Sequence, residues 1–154
     1  MRRMILAVIA LSLAGSGSVL AITAPAPVIG GVQYRSAAEV DAVRAAGETG
    51  GPVITDTDFR VLAVRRDKPG EAEVHITETD IFFVIDGKAT IVVGGEMIAG
   101  RTTAPGELRG SGITGGKEYL LEPGIVLTIP GGTPHWIRET TLGFRYAVVK
   151  TRVR

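Results

Sequence analysis

Residues 71–95, EAEVHITETDIFFVIDGKATIVVGG, decide the fold. Three short runs, AEVHI, IFFVI and ATIVV, are rich in β-branched and aromatic residues, and ITET and DGK separate them as turns. Runs of this length bounded by turn residues read as β-strands. Side chains alternate faces along a strand, so Glu73 and His75 share one face of the first run. Asp80 follows the ITET turn and opens the next strand, which is expected to lie antiparallel to the first. Phe82 and Phe83 fall on opposite faces, one in the core and one free to meet a partner.

The same rhythm extends outward. FRVLAVRR (59–66) alternates apolar and polar residues, and KEYLL (117–121), IVLTI (125–129) and FRYAVVK (144–150) are further β-rich runs. Turn signals such as DKPG, GGE, PGE, GSGITGGK, EPG and PGGTP recur about every ten residues, the spacing of an all-β sandwich or barrel. MIAGRTTAPGELRGSGITGG (97–116) is the least regular stretch and reads as short strands and loops at a barrel mouth. Upstream of the β region, SAAEVDAVRAAG (36–47) predicts one short helix, with Ser36 as N-cap, Glu39 completing a capping box and Gly47 as the stop. Residues 22–35, rich in Pro and Gly, read as an extended arm. The expected organisation is a signal peptide over 1–21, an arm and helix over 22–52, and a barrel over 53–154.

The signal peptide follows from Arg2 and Arg3, the apolar run MILAVIALSLAG and small residues leading to cleavage after Ala21. The run is too short for a stable membrane span. Cleavage takes the net charge from +1 to −1. Export to the periplasm or the exterior is the expected localisation, with no membrane association after cleavage. The absence of cysteine excludes disulfides and thiolate metal ligands, so any metal must be held by N and O donors. The 154 residues make one domain with 45% hydrophobic content and scattered basic residues, which leaves no nucleic-acid footprint. No phosphate-binding loop or serine-nucleophile motif is present.

The chain has two histidines, His75 and His135. Imidazole is the commonest protein metal ligand. His135 lies in EPGIVLTIPGGTPHWIRE (122–139), where PGGTPHW is a tight turn into a strand.

These two stretches resemble the two motifs of the cupin family. The second family motif, G(X)5PXG(X)2H(X)3N, is matched by Gly124, Pro130, Gly132 and His135, with Glu139 in place of the final Asn. The first, G(X)5HXH(X)3-4E(X)6G, is matched through Gly87, with Asp80 at the acidic position, His75 at the second His and Glu73 at the first. Glu thus replaces a His, Asp replaces a Glu, and Asp67 stands at the leading Gly. The resemblance covers roughly residues 59–150. It implies an antiparallel double-stranded β-helix, the jelly-roll barrel, with one short N-terminal helix ahead of it. It also implies a divalent metal (Fe, Mn or Zn) held by His75 and His135, with Glu73 and Asp80 completing the shell. Glu73 and Asp80 can alternatively divide the work, one binding metal and the other acting as base.

Tyr119 and Tyr146 sit on alternating strands and are candidates for acid, base or substrate anchor, against a packing role. Arg101 and Arg109 read either as a fork for a carboxylate substrate or as solvated loop residues. Trp136 is expected to line the barrel or pack at its rim. Small cupins commonly dimerise, and the arm at 22–35 can serve that. Two functions are open: a metal-dependent enzyme of oxygenase, isomerase or lyase type acting on a small organic molecule, and a non-catalytic small-ligand barrel with structural or no metal.

Overall fold

The computed structural model describes residues 31–46 and 49–153. The expected signal peptide, the arm through residue 30 and the Gly47 helix stop lie outside the described residues. The chain divides into a unit ending at Val32 and a unit spanning Gln33–Arg154, and the second holds the site.

Helix α1 (Ala37–Ala45) forms where the capping box places it. Ser36 N–H donates to the Glu39 carboxylate at 2.7 Å, while Glu39 N–H donates to Ser36 Oγ at 3.4 Å. The strands that follow are β1 (Gly51–Thr55), β2 (Phe59–Arg66), β3 (Ala72–His75), β4 (Glu78–Asp86), β5 (Ala89–Val93), β6 (Glu96–Ile98), β7 (Arg101–Ala104), β8 (Glu107–Gly110), β9 (Gly112–Thr114), β10 (Lys117–Leu121), β11 (Val126–Ile129), β12 (His135–Thr140) and β13 (Phe144–Arg152).

They make a five-stranded sheet in the order β1-β2-β13-β4-β11, a six-stranded sheet in the order β10-β5-β12-β3-β8-β7, and a β6-β9 pair. Every pairing is antiparallel. This is the expected all-β double-sheet architecture. Pro52, which has no N–H to give a ladder, sits on the edge strand β1.

One expectation is corrected. β3 and β4 are not neighbours in a sheet, because Ile76 and Thr77 carry the chain from the six-stranded sheet to the five-stranded one. Asp80 therefore approaches His75 from the opposite sheet rather than from an adjacent strand. The irregular stretch 97–116 is also more regular than its glycines suggest. It supplies β6 to β9, and β8 extends the six-stranded sheet beyond β3.

The main core lies between the sheets, where Phe144, Ile91, Leu121 and Ile129 are fully buried. Phe82 stacks on Tyr146 with ring centroids 5.2 Å apart, while Phe83 is exposed on the outer face. A second cluster of Ala72, Val92 and Ile113, joined by Met97 and Trp136, covers the other face of β3. Both faces of β3 are thereby buried, and Trp136 belongs to this outer cluster, its indole N–H donating to the Gly70 carbonyl at 2.9 Å.

Candidate metal and substrate site

The two sheets enclose a cavity of about 810 Å³ lined by side chains from both. The six-stranded sheet contributes Glu73, His75, Glu107, Arg109 and His135; the five-stranded sheet contributes Arg66, Asp80, Tyr146 and Lys150.

Strand register puts these residues together. Glu73 pairs with His135 on one side and with Arg109 on the other, so the three form a row across β12, β3 and β8. His75 pairs with Glu107 in the next inward row. On the opposite sheet, Asp80 pairs directly with Lys150. Side chains directly opposite each other in antiparallel strands are in contact distance. The PGG turn ties the halves together: Gly132 N–H donates to the His75 carbonyl at 2.8 Å, with Gly132 at φ +79°, a conformation that favours glycine.

The imidazoles are both buried, with ring centroids 5.3 Å apart. His135 Nδ1 lies 3.1 Å from the Thr133 carbonyl, which can only accept, so Nδ1 carries the proton and Nε2 offers its lone pair to the cavity. Burial, partly countered by that carbonyl and by nearby carboxylates, lowers the His135 pKa and keeps it neutral. His75 Nδ1 lies 2.7 Å from Glu107 and its Nε2 lies 3.2 Å from Glu73. Burial pulls its pKa down, but the flanking carboxylates outweigh that and raise it. Burial pushes Glu73 up, yet the His75 hydrogen bond and the Arg109 charge hold its carboxyl at about 2.

Glu73, His75 and His135 thus converge, with one donor atom from each lying within 4.8 Å of the others. This donor set fits a divalent ion. Both imidazoles have Nδ1 fixed by an acceptor and Nε2 turned to a common point, the arrangement by which outer partners orient metal-ligating histidines. A second grouping, His75 with Glu78 and Glu107, is also close enough. Its carboxylates are already engaged, Glu107 by His75 Nδ1 and Glu78 by a two-pronged contact from Arg60.

Asp80 is placed differently from Glu73. Its Oδ2 stands 3.7 Å from His75 Nε2 and 3.8 Å from His135 Nε2, but Lys150 Nζ holds both its oxygens at 2.6 and 2.7 Å. Tyr146 is buried in the cavity wall and its hydroxyl accepts from Arg66 Nε at 2.8 Å. Tyr119 does not line the cavity; it is partly buried against the main core, with Lys117 over its ring. Arg109 lies on β8 within the cavity wall, 3.4 Å from Glu107 and 3.7 Å from Glu73, whereas Arg101 does not line the cavity and pairs with Glu71, which does.

Sequence reasoning missed Lys150, Glu107 and Arg66 as members of the site. Alternation carried the signal in each case. Tyr146, Val148 and Lys150 occupy successive inward positions on β13, Val64 and Arg66 do so on β2, and Glu107 and Arg109 share one face of β8.

No protein-family model matches the chain, and no curated sequence matches it. Solved structures do. Hydroquinone 1,2-dioxygenase from Sphingomonas sp. TTNP3, with 4-hydroxybenzoate bound, is 12% identical with a TM-score of 0.51, covering 75% of this chain and 72% of that one. Hydroquinone 1,2-dioxygenase PnpCD, in complex with Cd2+ and 4-hydroxybenzonitrile, is 14% identical with a TM-score of 0.51, covering 75% and 71%. KdgF from Halomonas sp. is 16% identical with a TM-score of 0.48, covering 67% and 78%. The two dioxygenases are cupin-fold proteins, and the chain has the cupin fold that its two motifs imply.

Proposed function

We propose that the barrel binds one divalent ion of the Fe, Mn or Zn class through Glu73, His75 and His135 and works as an enzyme on a small organic molecule. The observation that carries this reading is the convergence of two oriented imidazole Nε2 atoms with one carboxylate at the cavity wall. Such a set, with positions left open, suits a catalytic ion. When bound, the ion supplies Lewis-acid polarisation of a substrate oxygen.

The chain's own residues supply the rest. Glu107 and the Thr133 carbonyl fix the two rings. Asp80, buried beside both Nε2 atoms and held by Lys150, is positioned to take or return a proton rather than to serve as a ligand. This favours proton-transfer chemistry of isomerase or lyase type over oxygenation. Tyr146 sits in the same wall as a donor, its pKa raised by burial against the opposing pull of Arg66. Export of the mature chain belongs to the same proposal, as does a homodimer. Phe83 and Val126 are exposed cross-strand neighbours on the outer face of the five-stranded sheet, which supports the dimer; light scattering checks it.

One observation favours the non-catalytic reading. Without an ion, Arg109 stands 3.7 Å from Glu73 and 3.4 Å from Glu107 and Lys150 holds Asp80, so each carboxylate nearest the imidazoles already has a cationic partner. Elemental analysis of the purified protein separates the two. Near-stoichiometric metal that is lost in His75→Ala and in His135→Ala supports the enzyme. A metal-free protein that takes up none of the three metals on dialysis would falsify it.

A further inference from the structure

We infer that Arg66 and Tyr146 form an anchor for a carboxylate, so that the small molecule entering this cavity is an organic acid; this rests on reading the cavity as a substrate site. Arg66 ends β2 at the cavity wall, and its side chain is 13% exposed. Its guanidinium has five N–H donors. One of them, Nε–H, goes to the Tyr146 oxygen at 2.8 Å. The nearest carboxylate oxygen, Glu73 Oε1, is 3.8 Å from Arg66 Nη2, beyond hydrogen-bond distance. The Nη1 and Nη2 donors therefore have no acceptor among the described residues.

Tyr146 strengthens the case. Its oxygen already accepts from Arg66, which leaves its own O–H free to donate, and no acceptor among the described residues takes it. The two side chains are diagonal neighbours on paired strands, since Tyr146 pairs with Val64 and Arg66 lies two positions on. Gly70 lets the guanidinium lie close: a Cβ there would stand 2.7 Å from Arg66 Nη1. The result is a planar fork with a phenolic hydroxyl beside it, in the wall that also holds His75 and His135. A half-buried guanidinium with open donors matches a carboxylate bidentately.

The charge count agrees. Arg60, Arg66, Lys68, Arg109 and Lys150 outnumber Glu71, Glu73, Asp80 and Glu107 along the wall before any ion enters, and a bound dication adds to an excess of positive charge that an acid substrate reduces. A neutral substrate would leave that excess and the Arg66 donors unmatched.

The test is calorimetric titration of the full mature chain with benzoate and succinate, their neutral amides benzamide and succinamide, and inorganic phosphate. Each titration is run on metal-loaded and on chelator-treated protein, with metal content measured separately. Saturable binding of at least one acid is expected, with its amide about ten- to hundredfold weaker. The same loss is expected in Arg66→Gln, and a smaller one in Arg66→Lys and Tyr146→Phe, with metal content unchanged in all three. Arg145→Gln, on an outer strand position paired to Asp86, keeps full affinity. Arg66→Lys retains the charge and the stem, so it reports on the fork even if Arg66→Gln folds poorly. Equal binding of acid and amide, tighter binding of phosphate than of either acid, wild-type affinity in Arg66→Lys and Tyr146→Phe, or no acid binding up to tens of millimolar overturns the proposal. Acid binding through Arg66 by a protein that takes up no metal upholds it while removing the metal reading.

Discussion

Replacing Lys150 by Met isolates the least expected feature of the cavity. Lys150 and Asp80 are directly opposed on β13 and β4, with Nζ 2.6 and 2.7 Å from the two carboxylate oxygens and side chains 9% and 4% exposed. At an effective dielectric constant of about 20, charges this close attract by about 6 kcal/mol. Most of that is offset by the cost of taking both groups out of water. Met has nearly the length of the Lys stem and fills the same space, but it leaves Asp80 buried and unpaired. Breaking one side of a buried pair costs about 3–5 kcal/mol. For a domain of this size that corresponds to a Tm lower by on the order of 10 °C.

Denaturant unfolding of the chelator-treated protein measures the free energy, and the double variant Asp80→Leu/Lys150→Met provides the control. The double variant is expected to recover most of the loss, because exchanging both partners for apolar groups is often neutral. Added Zn2+ gives a second readout. With Lys150 gone, Asp80 is free to turn the oxygen that stands 3.7 and 3.8 Å from the imidazole Nε2 atoms toward the ion. Zn2+ should therefore stabilise Lys150→Met by more than it stabilises the wild type. A Lys150→Met stability within about 1 kcal/mol of wild type, below the range for a broken buried pair, would refute the placement of this pair in the interior.

Three further outcomes are expected. Glu107→Gln keeps the fold but weakens metal affinity about ten- to hundredfold, because it removes the charge that orients His75 through Nδ1; competition against a chromophoric chelator reads this. In the metal-free protein the His75 pKa is raised above its unfolded value of 6.5, so its contribution to stability is full below that value and is lost as pH rises through the folded pKa. Metal must displace that proton, so Zn2+ affinity should climb by up to about tenfold per pH unit below the folded pKa and flatten above it, and a flat profile across that window refutes the proton's presence. Gly87→Ala should cost about 2 kcal/mol in thermal melts. Gly87 sits at φ +76°, and an added Cβ would stand 2.8 Å from Thr141 Oγ1 and 2.9 Å from Phe144 Cα.

The contrast between Glu73 and Asp80 explains how far sequence reading reaches in this chain. Glu73 and His75 lie on one strand, so a period of two suffices to put them on one face, and the structure brings them together with His135. The PGG turn carries its own backbone chemistry, and it delivers His135 to the Glu73 row. Asp80 is only five residues from His75, yet its role depends on which sheet β4 joins. Turn chemistry does not decide that, because a two-residue link can close a hairpin or cross between sheets. Crossing between sheets removes Asp80 from the β3 ladder and sets it opposite Lys150, seventy residues away. A lysine at the end of FRYAVVK reads as the solvated terminus of a strand until the register shows an acid facing it. The same holds for Glu107 and Arg109, whose alternation is visible but whose glycine-rich neighbours suggest a loop. What local pattern cannot supply is pairing between distant strands, and it is pairing that separates the ion's expected ligands from the groups we propose to move a proton or hold an acid.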